Sequence, residues 1–190
     1  MNTILPNTFS INGNESLSFR RALLTDVEAF VALVNSAYRG DSSRAGWTTE
    51  ADLLDGQRTD VEEISHLIEQ IDSAILLCQL GNKIIGTVHL EKRDAVTAYL
   101  GMLVIQPILQ GQGLGKKFMD NAEAFCRQEW GATRIQMQVI KLRHELIAYY
   151  QRRGYRATGE IMPFPASDPK FGLPRVEGLT FEVFEKDVSG

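Results

Sequence analysis

An α/β domain of the α+β kind, with about seven strands in a central sheet and about four flanking helices, is the fold this sequence predicts. Three observations carry the prediction. Apolar residues alternate at period two in several short runs and recur at helical spacing in four longer ones. Two of the short runs, residues 74–80 and 83–93, are separated only by Gly81 and Asn82, which reads as a hairpin, and a third run over 96–105 extends it into an antiparallel meander. That third run enters the stretch VIQPILQGQGLG, where Gly111, Gly113 and Gly115 stand directly before a helical pattern.

Taken in order, residues 1–16 are polar and rich in Asn, Ser and Gly, and are predicted to be a loose lead-in to a single domain over 17–190. Residues 17–23 read as a strand, with Leu17, Phe19 and Arg21 opposite Ser18 and Arg20. Thr25 and Glu28 have capping-box spacing ahead of a helix carrying Val27, Phe30, Val31, Val34 and Tyr38. The next twenty residues, 39–58, are polar and irregular, a length that in a compact domain marks a functional or mobile loop. Thr59 and Glu62 are the expected cap of a second helix bearing Val61, Ile64, Ile68 and Ile71.

After the meander and the glycines, Leu114, Phe118, Ala122, Phe125 and Cys126 share one helical face, and Gly131 is a natural stop. Residues 134–139 alternate as a half-buried strand. A helix over about 143–153, with a stripe of Leu146, Ile147 and Tyr150, ends at Gly154. Tyr155 opens a further strand, a Pro-rich excursion spans 162–176, and a last alternating strand runs over 179–185. Neither an internal repeat nor a domain linker is visible.

Composition narrows the function. A net charge of −4 argues against general affinity for nucleic acid, which calls for a basic surface. Cys78 and Cys126 both sit in apolar runs and read as buried core residues. No apolar run approaches the roughly 20 residues of a membrane span, and no basic segment leads into an apolar one at the start, so a soluble cytoplasmic protein without membrane contact is expected. The three histidines have no metal-ligand spacing, so no metal is expected.

Glycines that admit positive φ, followed by the unpaired N–H groups and positive dipole end of a helix, suit a phosphate; a glycine-rich turn without a ligand is the plainer alternative. The spacing fits neither familiar nucleotide loop. A P-loop would need Gly-Lys-Ser/Thr after four residues, but Lys116 stands five residues beyond Gly111 and Lys117 is followed by Phe118. For a dinucleotide fingerprint the third glycine would fall at Lys116.

Gln110, Gly111, Gln112, Gly113, Leu114 and Gly115 do resemble the pyrophosphate loop of the GNAT superfamily of acyl-CoA-dependent N-acetyltransferases, whose pattern is Gln/Arg-x-x-Gly-x-Gly/Ala. A second stretch, Tyr150, Gln151, Arg152, Arg153, Gly154, Tyr155, resembles the Tyr-Glu-Lys-x-Gly-Phe ending of a later helix in that family. The order of elements over 17–186 matches as well. The resemblance implies a mixed, mostly antiparallel sheet and acetyl-CoA as cosubstrate. It implies direct transfer of the acetyl group to a primary amine of a small molecule or peptide, without a metal or a covalent enzyme intermediate.

By the same resemblance, backbone groups of Met102, Leu103, Val104 and Ile105 would hold the pantetheine arm. The N–H groups of Gln110 through Gly115 would take the pyrophosphate, with Lys116 or Lys117 available to the adenosine phosphates. Arg143 stands where many members carry a cofactor-contacting asparagine, and would meet the phosphates or be solvated. Tyr150 is marked as the general acid, with Tyr149 its competitor, because a helix turns about 100° per residue and only one of them should face the cofactor. Where some members place a catalytic glutamate, this chain has Tyr99, so the base is Glu91 on the neighbouring strand, an acid from the 39–58 loop, or a water chain. Trp47, Glu50, Asp52 and Tyr99 are the expected acceptor-binding residues, and the loop acids, Asp55 included, suggest a cationic amine. A homodimer paired through an exposed final strand is open. The second reading is a silent acyl-CoA-binding sensor of the same fold.

Overall fold

The structure, a computed structural model, describes residues 5–11, 15–168 and 171–190. In chain order its strands are β1 (Leu5–Ile11), β2 (Glu15–Arg21), β3 (Leu54–Asp55), β4 (Ser73–Leu80), β5 (Lys83–Lys92), β6 (Thr97–Ile105), β7 (Arg134–Ile140), β8 (Arg156–Pro163), β9 (Leu173–Pro174) and β10 (Thr180–Asp187). Its α-helices are α1 (Val27–Tyr38), the single turn α2 (Gly40–Ser43), α3 (Val61–Glu69), α4 (Leu114–Trp130) and α5 (His144–Gln151). Eight strands form the main sheet in the order β1-β2-β4-β5-β6-β7-β10-β8. Every neighbouring pair is antiparallel except β6 with β7.

The mixed, mostly antiparallel sheet and its flanking helices are as expected, and the differences lie at the margins. The eighth strand is β1, inside the segment predicted as a loose lead-in; there Leu5 pairs with Phe19 and Phe9 with Leu17. The remainder of that segment, 1–4 and 12–14, lies outside the described residues. The final strand is not an edge: β10 runs between β7 and β8, so the free edge at this end belongs to β8. Expected caps also shift by a residue or fail. The 3-10 turn Leu24–Asp26 precedes α1, and Asp26 accepts from the Leu23 N–H at 2.8 Å while holding Arg20 at 2.7 Å. The side chain capping α3 is that of Asp60, which accepts from the Glu63 N–H at 2.8 Å.

Both faces of the sheet are covered, which is why β4 reads as a continuous apolar run. Helices α1 and α3 lay Phe30, Val34 and Ile64 over Ile75 and Leu77. On the other face α4 lays Phe118, Ala122 and Phe125 over Leu76, Leu90 and Leu100. Cys78 and Cys126 lie in this second layer, and burial pushes both thiols up to about 12.

Strand β6 changes phase midway. Met102 has φ of 47°, and between the partners Thr87–Val104 and His89–Gly101 two residues of β6 oppose one of β5, which defines a bulge. One extra residue swaps the faces: Ala98 and Leu100 lie in the α4 layer, whereas Met102 and Val104 lie in the α1 layer. Pairing of β6 with β7 covers only residues 97–99, so the two strands part just before the bulge. Everything described next is built in that parting.

Candidate functional site

Backbone groups come first. The Gln106 N–H bonds Ile85 O on β5 at 2.7 Å, so by strand alternation Leu103 and Ile105 present their groups on the opposite side, where β7 has turned away. Leu103 O accepts from the Tyr38 hydroxyl at 3.3 Å and Ile105 O from Gln110 Nε2 at 3.0 Å. The N–H groups of Leu103 and Ile105 have no strand partner there.

The glycine loop adds more donors. Gly111 and Gly113 have φ of 81° and 77°, and a Cβ at either would meet no atom within 4 Å, so the backbone is laid open on its outer side. Gly113 begins α4, and the Lys117 N–H makes the helix's first bond, to Gly113 O at 3.2 Å. The N–H groups of Leu114, Gly115 and Lys116 are therefore among those with no helical acceptor. Gln110 departs from expectation: its N–H bonds Pro107 O, and its side chain straps the 39–58 loop to β6 by accepting the Trp47 N–H at 3.1 Å.

Gly111, Gly113, Gly115 and Lys116 of this loop line a groove of about 390 Å³ with Trp47, Tyr149, Tyr150, Arg143, Arg152 and Arg153. Lys116 is bridged to Asp120 at 2.6 Å, whereas Arg152 makes no ion pair among the described residues. Neither Gln112 nor Leu114 lines the groove, and the Leu114 side chain is core. Trp47, expected on the acceptor, instead packs against Tyr149 with ring centres 5.5 Å apart and planes tilted by 46°, and walls the groove. A Cβ at Gly115 would stand 3.2 Å from the Tyr149 hydroxyl, which would have to give by a few tenths of an ångström.

A second cavity, about 330 Å³, adjoins the groove on the side of β7, β8 and the 162–176 segment. Strands β3 and β9 pair to tie that segment to the 39–58 loop. Five residues line both spaces: Tyr38, Leu103, Arg143, Leu146 and Tyr150. Tyr149 and Tyr150 both reach the groove, contrary to the expectation that only one would, but Tyr150 alone of the two also reaches the cavity. Its hydroxyl bonds no protein group among the described residues, and burial raises its pKa above the ordinary tyrosine value. Tyr99 lines the cavity, with its ring against Gly101 and the Arg93 guanidinium 4.8 Å from its centre. Met102, expected at the cofactor, lines this cavity instead.

The loop acids are not free to receive a cation. Glu50, 6% exposed, is gripped by Arg39 in a short ion pair and by Arg143 at 2.7 Å. Arg143 also donates to Thr48 Oγ1 at 2.9 Å, so it is turned toward the loop rather than offered to phosphates. Asp52 is paired with Arg44 at 2.7 Å and Asp55 with Arg175 at 3.2 Å, both on the surface. Glu91, one of the three candidate bases, lines neither space; it bridges Arg93 at 3.1 Å. His89 is structural: it is buried against Ser73 Oγ at 3.1 Å, and desolvation pushes it down to about 4.

The sequence reading missed Tyr38, Arg39 and Arg58. All three end or bracket the 39–58 loop, which carries four acids but also three arginines. That near balance was the available signal.

No helix of the described residues is long and apolar enough to cross a membrane. No curated protein matches this sequence. Among solved structures the chain is similar to a putative phosphinothricin N-acetyltransferase (16% identity, TM-score 0.67, covering 92% of this chain and 100% of that one). It is similar to spermidine N-acetyltransferase from Vibrio cholerae in complex with CoA and spermine (14%, TM-score 0.67, 91% and 96%). A putative acetyltransferase from Salmonella typhimurium with its cofactor acetyl-CoA is a third (16%, TM-score 0.66, 92% and 95%). At these identities the likeness speaks for the fold, whereas the family model for the acetyltransferase (GNAT) family matches the sequence itself over residues 34–155. The chain, with its splayed β6–β7 pair and open glycine loop, belongs to the GNAT acetyltransferase family.

Proposed function

We propose that the protein is an N-acetyltransferase that moves the acetyl group of acetyl-CoA to a primary amine by direct attack. The observation that carries the reading is the meeting of two spaces at Tyr150, one lined by the glycine loop and the other by β7, β8 and the 162–176 segment. In the groove, the N–H groups of Gly111, Gly113, Gly115 and Lys116 suit a pyrophosphate, and those of Leu103 and Ile105 suit an amide-bearing arm. Bound there, acetyl-CoA supplies an activated acetyl thioester. Burial keeps Tyr150 protonated, and a protonated hydroxyl on the wall of both spaces suits the general acid that gives a proton to a departing thiolate.

The acceptor amine must also lose a proton. An alkylamine with a pKa near 10.4 is neutral about once in 2,500 molecules at pH 7, a handicap of roughly 4.6 kcal/mol. Glu50 is the one carboxylate among the described residues of the cavity, and Arg39, Arg58 and Arg143 outnumber it. A surplus positive charge about 6 Å from an amine, at an effective dielectric of about 20, lowers its pKa by on the order of 2 units. The cavity therefore promotes deprotonation by its field and leaves the proton to water.

One observation favours acyl-CoA binding without turnover: Glu50 is held by two guanidinium groups and Glu91 is outside the cavity. Calorimetric titration with acetyl-CoA followed by a thiol-release screen over amines separates the two. Micromolar binding with amine-dependent release supports transfer, and binding with no release from any amine supports the sensor.

A further inference from the structure

We propose that the acceptor carries a carboxylate beside its amine, and that Arg58 receives it. The inference rests on the acetyl-transfer reading and names the substrate class for the same cavity. Three arginines line that cavity, and two of them, Arg39 and Arg143, are committed to Glu50. Arg58 is different. Its guanidinium lies 5.7 Å from the centre of the Tyr38 ring and makes no ion pair or hydrogen bond among the described residues.

The backbone beneath it is fixed independently of that side chain. Asn35 of α1 accepts the Arg58 N–H at 2.6 Å and the Thr59 N–H at 3.2 Å, and donates to Thr59 O at 2.9 Å. A partly buried, unpaired guanidinium on an anchored backbone, facing a small-molecule space, is a preformed fork for a planar oxyanion.

The rest of the wall fills in the ligand. Met137, Met162, Phe164, Phe171 and Phe181 supply an apolar end, and Tyr150 with Leu103 marks the end open to the groove. An amine at the seam, a carboxylate at Arg58 and an apolar side group against the phenylalanines describe a free amino acid or a close analogue. The same charges disfavour a polyamine or a lysine side chain, whose remaining cations would meet three guanidinium groups. A peptide N-terminus lacks the adjacent carboxylate.

The test is calorimetric binding to the full chain, free and saturated with CoA. Ligands are the common amino acids, their primary amides, the matching decarboxylated amines and spermidine. The best carboxylate-bearing ligand is expected to bind at least about tenfold, and up to about a hundredfold, more tightly than its own amide and amine. Arg58→Gln should erase that preference, and Arg58→Lys should restore part of it. Acetyl-CoA affinity should be unchanged in both variants, since Arg58 does not line the groove. Amides, simple amines or spermidine binding as well as the carboxylates, or a preference that survives Arg58→Gln, overturns the proposal. Failure of acetyl-CoA to bind while amino acids still bind through Arg58 would instead overturn the transfer reading. Acetyl-CoA binding without any carboxylate preference in either form does the reverse.

Discussion

Replacing Tyr150 by Phe removes one oxygen from the seam and little else. The ring keeps its edge contacts with Tyr149 and Tyr155, at centroid distances of 5.5 and 6.0 Å. Because the hydroxyl bonds no protein group among the described residues, its loss orphans no partner, and stability should change by less than about 1 kcal/mol. The rate should not be spared. A positioned general acid is worth about 10²- to 10⁴-fold, or roughly 2.7–5.5 kcal/mol of barrier. Burial raises the Tyr150 pKa, so the phenol remains a proton donor throughout pH 6–9. Its contribution to folding is complete below the unfolded value of about 10 and falls away only as pH rises beyond it. Thiol release measured from pH 6 to 9 should therefore show kcat lower by the same factor at every pH, with acetyl-CoA affinity within about threefold of the parent. A variant whose kcat stays within threefold of the parent across that range would show that Tyr150 is not the acid.

Glu50→Gln strips the shared partner from two arginines that are almost fully buried. It should cost about 3–5 kcal/mol, or on the order of 6–20 °C in Tm; a melt within 2 °C of the parent would mean the cluster contributes nothing measurable. His89 is depressed from 6.5 to about 4, so its neutral form favours folding above pH 6.5 and that stabilisation drains away as pH falls toward 4. Urea unfolding should show a loss of about 3 kcal/mol over that interval, missing in His89→Gln; an equal loss in the variant would remove His89 as its cause. Cys78 and Cys126 are inaccessible, and burial has pushed both thiols up to about 12. A chromogenic thiol reagent at pH 8 should find no thiol in the native protein and two per chain after denaturation, and rapid native labelling would contradict the packing of both layers.

What the sequence revealed and what it hid follow from the range of the interactions involved. The meander, α4 with its Gly131 stop, and the loop at Gly111 and Gly113 are set by neighbours in the chain, so pattern alone exposes them. The bulge at Met102 left no mark, because the extra residue lies in the unbroken apolar run YLGMLVI. Charge was misjudged for another reason. Glu50 finds Arg143 across 93 residues and Asp55 finds Arg175 across 120, so the acids read as free while their partners lay out of sight. Tyr150 was readable through a motif, but its separation from Tyr149 was not, since that depends on where the second cavity opens. Arg58 had no motif at all.

The wall shared by the two spaces carries a thermodynamic obligation. Tyr38, Leu103, Arg143, Leu146 and Tyr150 cannot adjust to an occupant on one side without presenting a changed surface to the other. Any factor by which the thioester ligand alters the affinity of the amine must be returned by the amine to the thioester ligand, since linkage of equilibrium affinities is reciprocal. A shift of one partner's binding isotherm by the other would give the coupling free energy between the two spaces, and it must have the same size whichever partner is titrated.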